Sequence, residues 1–316
     1  MSVIKMNPMI TYSFVIPHHN TPDLLLRLID SIPQREDIEI IVVDDNSAED
    51  KKADISRPDV KTIFIDKNNT RGAGKARNVG MDAATGKWLL FADSDDFYNP
   101  GFIEVLDEYK DDDIDILFFN IDSADTLTLK PDEFNRAWYQ QRCIEKYDGS
   151  EDSINRMLYY RYAPWCKMLS HEFVKHYGFR YEEISVLNDS FFALQTSHFA
   201  KKWKVDKRKL YTVTFRTGSI TFSRVSMQKI ADSMVTYRRR AKLYEYIGHP
   251  EWNVKSYKGK YYQSCWKYMY KLAFTRHLPM SALRAFFYYI THRQEIRNKS
   301  NYYVEVFEAL KQKDLV

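Results

Sequence analysis

Cysteine is scarce in this sequence: three residues in 316, Cys143, Cys166 and Cys265. Scattered and odd in number, they argue against a disulfide framework or a thiolate zinc site, and for a reducing compartment. No apolar run approaches the ~18 residues that would span a bilayer, and no leader pattern precedes the first strand. A cytoplasmic chain without a membrane span or a cleaved signal is therefore expected. Internal repeats and low-complexity segments are also missing. What is there is ordinary for a soluble globular protein, with 44% hydrophobic and 28% charged residues, and the length allows a full core and two units.

The net charge of +4 hides an asymmetry. From Ser226 onward there are 17 Lys and Arg against 7 Asp and Glu; the part before it holds 30 against 36. An acidic first part followed by a basic tail points to an anionic partner for the tail.

Periodicity predicts strands at 11–17, 39–43, 60–65, 88–92 and 114–119, with helices at 24–32, 76–84 and 101–109 between them. The order is α/β with a mostly parallel sheet. A polar, glycine-containing loop is expected at 68–75, and polar, irregular chain at 122–147. Further on, helices are expected at 150–162 and 189–198, short extended segments at 163–168 and 179–186, and a strand at 210–215 followed by a loop. The region from Ser226 reads as largely helical.

Polar groups fall at three predicted strand ends: His18 to Asn20, Asp44 to Ser47, and Asp93 to Asp96. Open α/β sheets bind ligands along that edge. The stretch WLLFADSDDFYNP, 88–100, carries the most chemistry. It begins as a buried strand and ends in Asp93, Asp95 and Asp96, with Ser94 among them. Clustered acids are costly without a partner. Mg²⁺ or Mn²⁺ suits them, and the phosphates of a nucleotide can fill the remaining coordination positions. The plainer alternative is an acidic turn with a helix cap at Asp96.

Seven motifs occur in order: FVIPHHN, EIIVVDDNS, NNTRGAGKARNVGMDAATGKWL, FADSDD, PWCKMLSHEFV, NDSFF and RTGSIT. Spread over roughly 210 residues, this set resembles the inverting nucleotide-sugar glycosyltransferases of family 2, bacterial polysaccharide-biosynthesis type. The resemblance implies a GT-A fold, Rossmann-like, in residues 1–225. Its nucleotide-sugar half would lie at about 10–120 and its acceptor half at about 121–225. Residues 226–316 form a basic, aromatic-rich helical extension outside the resemblance.

The roles carried over are as follows. Pro17 and His19 would hold the nucleobase, although the family usually has an aromatic such as tyrosine at His19. Asp45 would accept hydrogen bonds from base or ribose. Gly74, with Gly72, allows close backbone approach, and Arg77 with Asn78 matches the family's ARN element. Arg77 is therefore expected near the donor; a surface charge or a salt bridge within the sheet is its plainer reading. Asp93 and Ser94 would face the donor, and Asp93 and Asp95 would hold the divalent metal. Trp165 and Lys167 match an acceptor-side element. Arg216 and Ser219 resemble a loop that closes on the diphosphate. Asp189 would be the catalytic base, with the helix N-cap as its alternative. Asn188 replaces the family's usual glutamate, so Asp189 is expected to lose a like-charge neighbour that would raise its pKa.

The implied activity is metal-dependent, inverting transfer of a hexosyl or N-acetylhexosaminyl group from a nucleotide-sugar, expected to be a UDP-sugar. The acceptor would be a hydroxyl of a glycan or lipid-linked glycan in surface polysaccharide, capsule or lipopolysaccharide assembly. A nucleotidyltransferase is the nearest rival, but it would want a glycine- and lysine-rich phosphate loop where His18-His19-Asn20-Thr21-Pro22 stands. Nucleic-acid binding fits the tail's charge but leaves the strand-end motifs without a purpose. A non-catalytic sugar-nucleotide-binding relative is opposed by the intact Asp93, Asp95 and Asp189.

In the tail, Arg238-Arg239-Arg240, Lys255, Lys258, Lys260, Lys267 and Lys271 interleave with Tyr257, Tyr261, Tyr262, Trp266, Tyr268 and Tyr270. Basic residues suit anionic headgroups and Tyr and Trp suit the interface, so peripheral association with the inner face of the plasma membrane is expected. The alternative is a helical cap that packs its own aromatics. Flotation with anionic vesicles should carry the protein upward at low salt and release it at high salt; no flotation at low salt refutes the membrane reading.

Overall fold

The computed structural model describes residues 9–66, 72–133, 135, 137–161, 163–215, 227–252, 291, 294 and 299–314. Within them the chain runs β1 (Tyr12–His18), α1 (Pro22–Ser31), β2 (Ile38–Asp44), β3 (Val60–Phe64), α2 (Gly72–Ala83), β4 (Trp88–Phe91), β5 (Phe97–Tyr98) and α3 (Phe102–Asp107). It continues with β6 (Ile116–Asp125), α4 (Trp138–Glu145), α5 (Glu151–Tyr159), β7 (Lys167–Ser170), α6 (His171–Tyr177), α7 (Ser190–Phe199) and β8 (Trp203–Phe215). Two further helices are α8 (Met227–Tyr246) and α9 (Tyr302–Lys313).

The eight strands form one sheet in the order β3-β2-β1-β4-β7-β6-β8-β5. β3, β2, β1 and β4 are parallel neighbours, β7 runs against both β4 and β6, and β6 and β8 are parallel. The C-terminal ends of β1, β2, β4 and β6 therefore share one edge. Every residue of β1 is buried, as a central parallel strand covered on both faces requires. Tyr12, Phe14 and Ile16 share a core with Leu25, Leu28 and Ile29 of α1 and with Phe102 and Leu106 of α3. Each such side chain contributes ~1.5–3 kcal/mol when fully buried. On the opposite face α2 lies so close that a Cβ at Gly80 would run into Val15 and press on Val43. Phe91 meets the rings of Tyr181 and, in α7, Phe192 at 5.1 and 5.6 Å.

Several expectations need correction. α2 begins at Gly72, so Gly74 and Lys75 lie in its first turn and not in a loop. β6 continues to Asp125, because Asn120–Asp125 pairs with Lys209–Phe215 of an equally lengthened β8. The polar residues there sit in a ladder that no local pattern announces. α4 interrupts the stretch expected to be irregular, and the expected extended segment at 179–186 is no strand. α6 was not anticipated, although its signals are present. Ser170 accepts a hydrogen bond from the Phe173 N–H, and Gly178 closes the helix at φ 70°.

The chain divides into two compact units, Met1–Glu183 with Asn188–Phe222, and Ile184–Leu187 with Ser223–Val316. In the second, the Arg239 guanidinium lies over the rings of Tyr302 and Tyr303 at 4.7 and 5.5 Å and donates to the Lys299 carbonyl. Arg240 is buried against Tyr237 and Tyr244. The tail's Lys255 to Lys271 segment, Cys265, Arg71, Arg216 and Ser219 lie outside the described residues. Among the described residues no helix is long and apolar enough to cross a membrane.

Candidate active site

Two turns at the sheet edge are laced together. Asn20 and Asn46 take left-handed conformations, φ 58° and 60°, that asparagine tolerates. The Asp45 N–H donates to the His18 carbonyl, the Asn20 N–H to Ser47 Oγ, and the Ala48 N–H to Asn20 Oδ1. His18 Nε2 accepts from the Thr21 N–H, so Nδ1 carries the proton and donates to Asp44 Oδ2 at 2.9 Å. Burial works against the Asp44 carboxylate, but hydrogen bonds from Ser47 and His18 outweigh it and lower its pKa. Asp44 thus shapes the turn. Pro17 lies in β1 opposite Val43.

Asp45 and His19 are placed differently. Asp45 Oδ1 is buried without a hydrogen-bond partner among the described residues. Burial raises its pKa, against the pull of His19 and a hydrogen bond from the Gly72 backbone. His19 is exposed; its Nδ1 donates to the Asp45 carbonyl, and its Nε2 meets the Asn20 amide. With both ring nitrogens engaged, the ring offers its faces.

The third turn follows β4. The Thr21 and Ser94 hydroxyls lie 3.2 Å apart across the edge. Asp96 is buried, and its carboxylate accepts from the Tyr211 hydroxyl at 2.8 Å and the Thr214 N–H at 2.6 Å. Burial, then Asp95 and Asp93, push its pKa well up. Asp96 is an internal anchor of the turn and not a helix cap. Among the described residues no three His, Cys, Asp or Glu side chains form a metal cage. Asp93 and Asp95 still fit a Mg²⁺ or Mn²⁺ ion, because such ions take one or two carboxylates and complete their shell with water and substrate phosphate.

Arg77 joins this turn to the start of α7. It is 4% exposed; Nη2 donates to Asp93 Oδ1 at 2.5 Å and Nη1 to Asn188 Oδ1 at 2.9 Å, and the group lies 5.3 Å from the Tyr181 ring. Burial lowers its pKa, but Asp93, Tyr181 and Asp189 outweigh that and raise it. Its neighbours on α2 serve the same segment. Asn78 brackets Tyr181, donating to its carbonyl and accepting from its N–H. A Cβ at Gly74 would collide with the Glu182 carbonyl and crowd Asn188. Gly74 and Arg77, read from sequence as donor contacts, thus also pack against the 181–188 segment that leads to Asp189.

Asp189 is half-buried at the N-cap position of α7, but its side chain makes no capping bond. Burial raises its pKa and Asp93 adds to the rise, while Arg77 and Lys167 oppose it. Asn188 adds no charge beside Asp189 and serves Arg77; the like charge that raises Asp189 comes from Asp93 instead. Leu187 directly before it has φ 59°, a costly conformation of the kind that collects at functional sites.

Cys166 is similarly strained, φ 63°, between Trp165 and Lys167. The Trp165 ring stacks on Tyr211 at 6.1 Å and 18°. Lys167 is 3% exposed; its Nζ donates to the Arg161 carbonyl at 3.3 Å and lies 5.8 Å from the Phe118 ring. Burial lowers its pKa to about 8. Sequence reasoning missed Arg27, Tyr181, Tyr211 and Thr214, which lie far along the chain from the groups they hold and match none of the quoted motifs.

The profile of glycosyl transferase family 2 matches residues 13–177, just over half the chain. Succinoglycan biosynthesis protein ExoO of Rhizobium meliloti is 38% identical over 104 residues, 31% of this chain and 29% of that protein. The GalNAc(5)-diNAcBac-PP-undecaprenol beta-1,3-glucosyltransferase of Campylobacter jejuni is 34% identical over 100 residues, 30% of this chain and 32% of that protein. The chain thus spans about a third or less of these two relatives. A crystal structure of S. aureus TarS 1–349 with UDP-GlcNAc superimposes with a TM-score of 0.57 at 18% identity, covering 96% of this chain and 92% of that one. That likeness concerns the fold.

The Lys167 amine supplies a stability test. Its folded pKa, about 8, lies below its ordinary 10.5, so the unfolded chain binds the proton more tightly. The cost of burying the charge is complete below pH 8 and fades as pH rises towards 10.5. Lys167→Met should raise the melting temperature at pH 7, by ~2–4 °C for each ~1 kcal/mol regained, and the gain should shrink at pH 10. A variant less stable at both pH values refutes this.

Proposed function

Because the chain belongs to glycosyl transferase family 2, we propose that this glycosyltransferase moves a hexosyl or N-acetylhexosaminyl group from a UDP-sugar, with inversion, in surface polysaccharide assembly. The acceptor is a hydroxyl of a glycan or lipid-linked glycan. One observation carries the reading: Arg77 links Asp93, on the donor side, to Asn188, beside Asp189. One side chain thus ties a metal-suited acid to the neighbour of a group that can receive a proton, which supports the reading.

The Asp45 carboxylate, with its unpartnered Oδ1, accepts from the base edge or ribose, and the His19 ring stacks on the base. Asp93 and Asp95 would hold a Mn²⁺ or Mg²⁺ ion, which when bound neutralises charge on the departing diphosphate. Asp189 takes the proton of the acceptor hydroxyl. The hydroxyl oxygen attacks the anomeric carbon from the face opposite the leaving group, the bond to UDP breaks, and configuration inverts. Arg77 and Lys167 oppose the rise of the Asp189 pKa and so favour its ionised form. Trp165 is assigned to the acceptor side, and Arg216 and Ser219 to the diphosphate. The basic, aromatic tail supports peripheral placement at the inner face of the plasma membrane.

Asp189→Asn should lower transfer by ~10²–10⁴-fold and leave UDP affinity unchanged; retained turnover removes Asp189 as the base. The base works ionised and its pKa is raised, so the rate should fall, as pH drops, at a pH above the ordinary aspartate value of ~3.9. An acid limb at or below that value refutes the assignment.

Calorimetric titration with UDP, GDP and CDP, each with Mn²⁺ and with EDTA, tests the donor reading. UDP should bind in a Mn²⁺-dependent manner, and Asp95→Ala should abolish that dependence. Equal UDP affinity with and without Mn²⁺ in the unaltered protein refutes the metal site.

A further inference from the structure

Asp93 and Asp95 lie on a short turn, yet five hydrogen bonds from distant chain hold that turn from behind. The Asp93 N–H donates to the Tyr211 hydroxyl at 3.0 Å, and that hydroxyl gives its one proton to Asp96 Oδ2 at 2.8 Å. The Thr214 N–H takes the other Asp96 oxygen at 2.6 Å. The Asp95 carbonyl accepts twice, from Thr214 Oγ1 and from Arg27 Nη2, both at 2.5 Å. Thr214 Oγ1 in turn accepts from Thr126 Oγ1 at 2.9 Å, and Arg27 Nη1 donates to the Thr126 carbonyl at 2.7 Å. Arg27 also lies 5.4 Å from the ring of Phe97, the residue after Asp96.

Backbone pairing sets this up. β5 directly follows the turn and pairs with β8, Phe97 opposite Thr212 and Tyr98 opposite Tyr211. With both Asp96 oxygens engaged, the third acid of the run anchors the turn while the first and third residues of Asp93-Ser94-Asp95 keep their place at the edge. A buried acid is costly unless its oxygens are satisfied, so Asp96 requires Tyr211 and Thr214.

We infer that Arg27, Tyr211 and Thr214 are positioning residues for donor binding, clamping the Asp93–Asp96 turn in the arrangement that receives the diphosphate. This rests on the donor site proposed above. None of the three is required to touch the donor; each acts through the turn.

Thr214→Val keeps the side-chain shape and removes the hydroxyl, Thr214→Ser keeps the hydroxyl, and Tyr211→Phe removes the relay to Asp96. The full-length variants are titrated calorimetrically with UDP in Mn²⁺ and in EDTA, and melted in parallel. Thr214→Val and Tyr211→Phe should each weaken Mn²⁺-dependent UDP binding by about tenfold, as expected for one lost buried hydrogen bond. Binding in EDTA should stay unchanged, and Thr214→Ser should stay within about twofold of the unaltered protein. Unchanged affinity in Thr214→Val and Tyr211→Phe overturns the inference, as does a Thr214→Ser variant no better than Thr214→Val. Equal weakening in Mn²⁺ and EDTA also overturns it, because that marks general structural damage. If the unaltered protein shows no Mn²⁺-dependent UDP binding, the donor-site reading falls and the inference with it. Unaltered binding with insensitive variants defeats the inference alone.

Discussion

The buried guanidinium of Arg77 constrains everything around it. A cation withdrawn from water must be met by charge and hydrogen bonds of good geometry, or the fold loses several kcal/mol. Here the partners come from two places: Asp93 at the end of β4, and Asn188 just ahead of α7. Pairing its two terminal nitrogens therefore brings a metal-suited acid and the neighbour of Asp189 into a single arrangement. Without Arg77, Asp93 would face the raised Asp189 with less positive charge between them. The rest of α2 reinforces the same contact, through the Asn78 bracket on Tyr181 and the close approach of Gly74 to Glu182.

The electrostatics around Asp189 form a balance. Burial and Asp93 favour the protonated form of Asp189, while Arg77 and Lys167 favour the ionised form. Lys167 is itself pulled down by burial, with Asp189 among the groups holding it up. Both groups thus move towards the range in which a base operates near neutral pH. Left-handed backbone at Asn20, Asn46, Cys166 and Leu187 lies at the strand ends and segments that carry the candidate site residues. Strain of this kind persists where the surrounding packing over-determines the backbone.

In the helical unit, the described part of the basic tail directs two of its arginines onto aromatic rings: Arg239 onto Tyr302 and Tyr303, Arg240 onto Tyr237 and Tyr244. Cation–π packing at such sites is worth ~0.5–2 kcal/mol. The interleaving of basic and aromatic residues that suggests an anionic surface in the sequence thus also has a cohesive use within the unit.

Much of the fold and part of the site were legible in the amino-acid order. The α/β alternation, the buried first strand, and the polar groups at the ends of β1, β2 and β4 follow from local periodicity, because a central parallel strand must be apolar throughout and its ligand groups must wait until it ends. Asp45, Asp93 and Asp95 fall at such ends, whereas their particular roles, and that of Asp189 ahead of a helix, come from the resemblance to family 2. Tertiary structure decided what holds Asp44 and Asp96: His18 and Ser47 engage the first, and Tyr211 and Thr214 engage the second. The His18, Tyr211 and Thr214 partners lie 26 to 118 positions away, and a hydrogen bond at that separation leaves no local pattern to read.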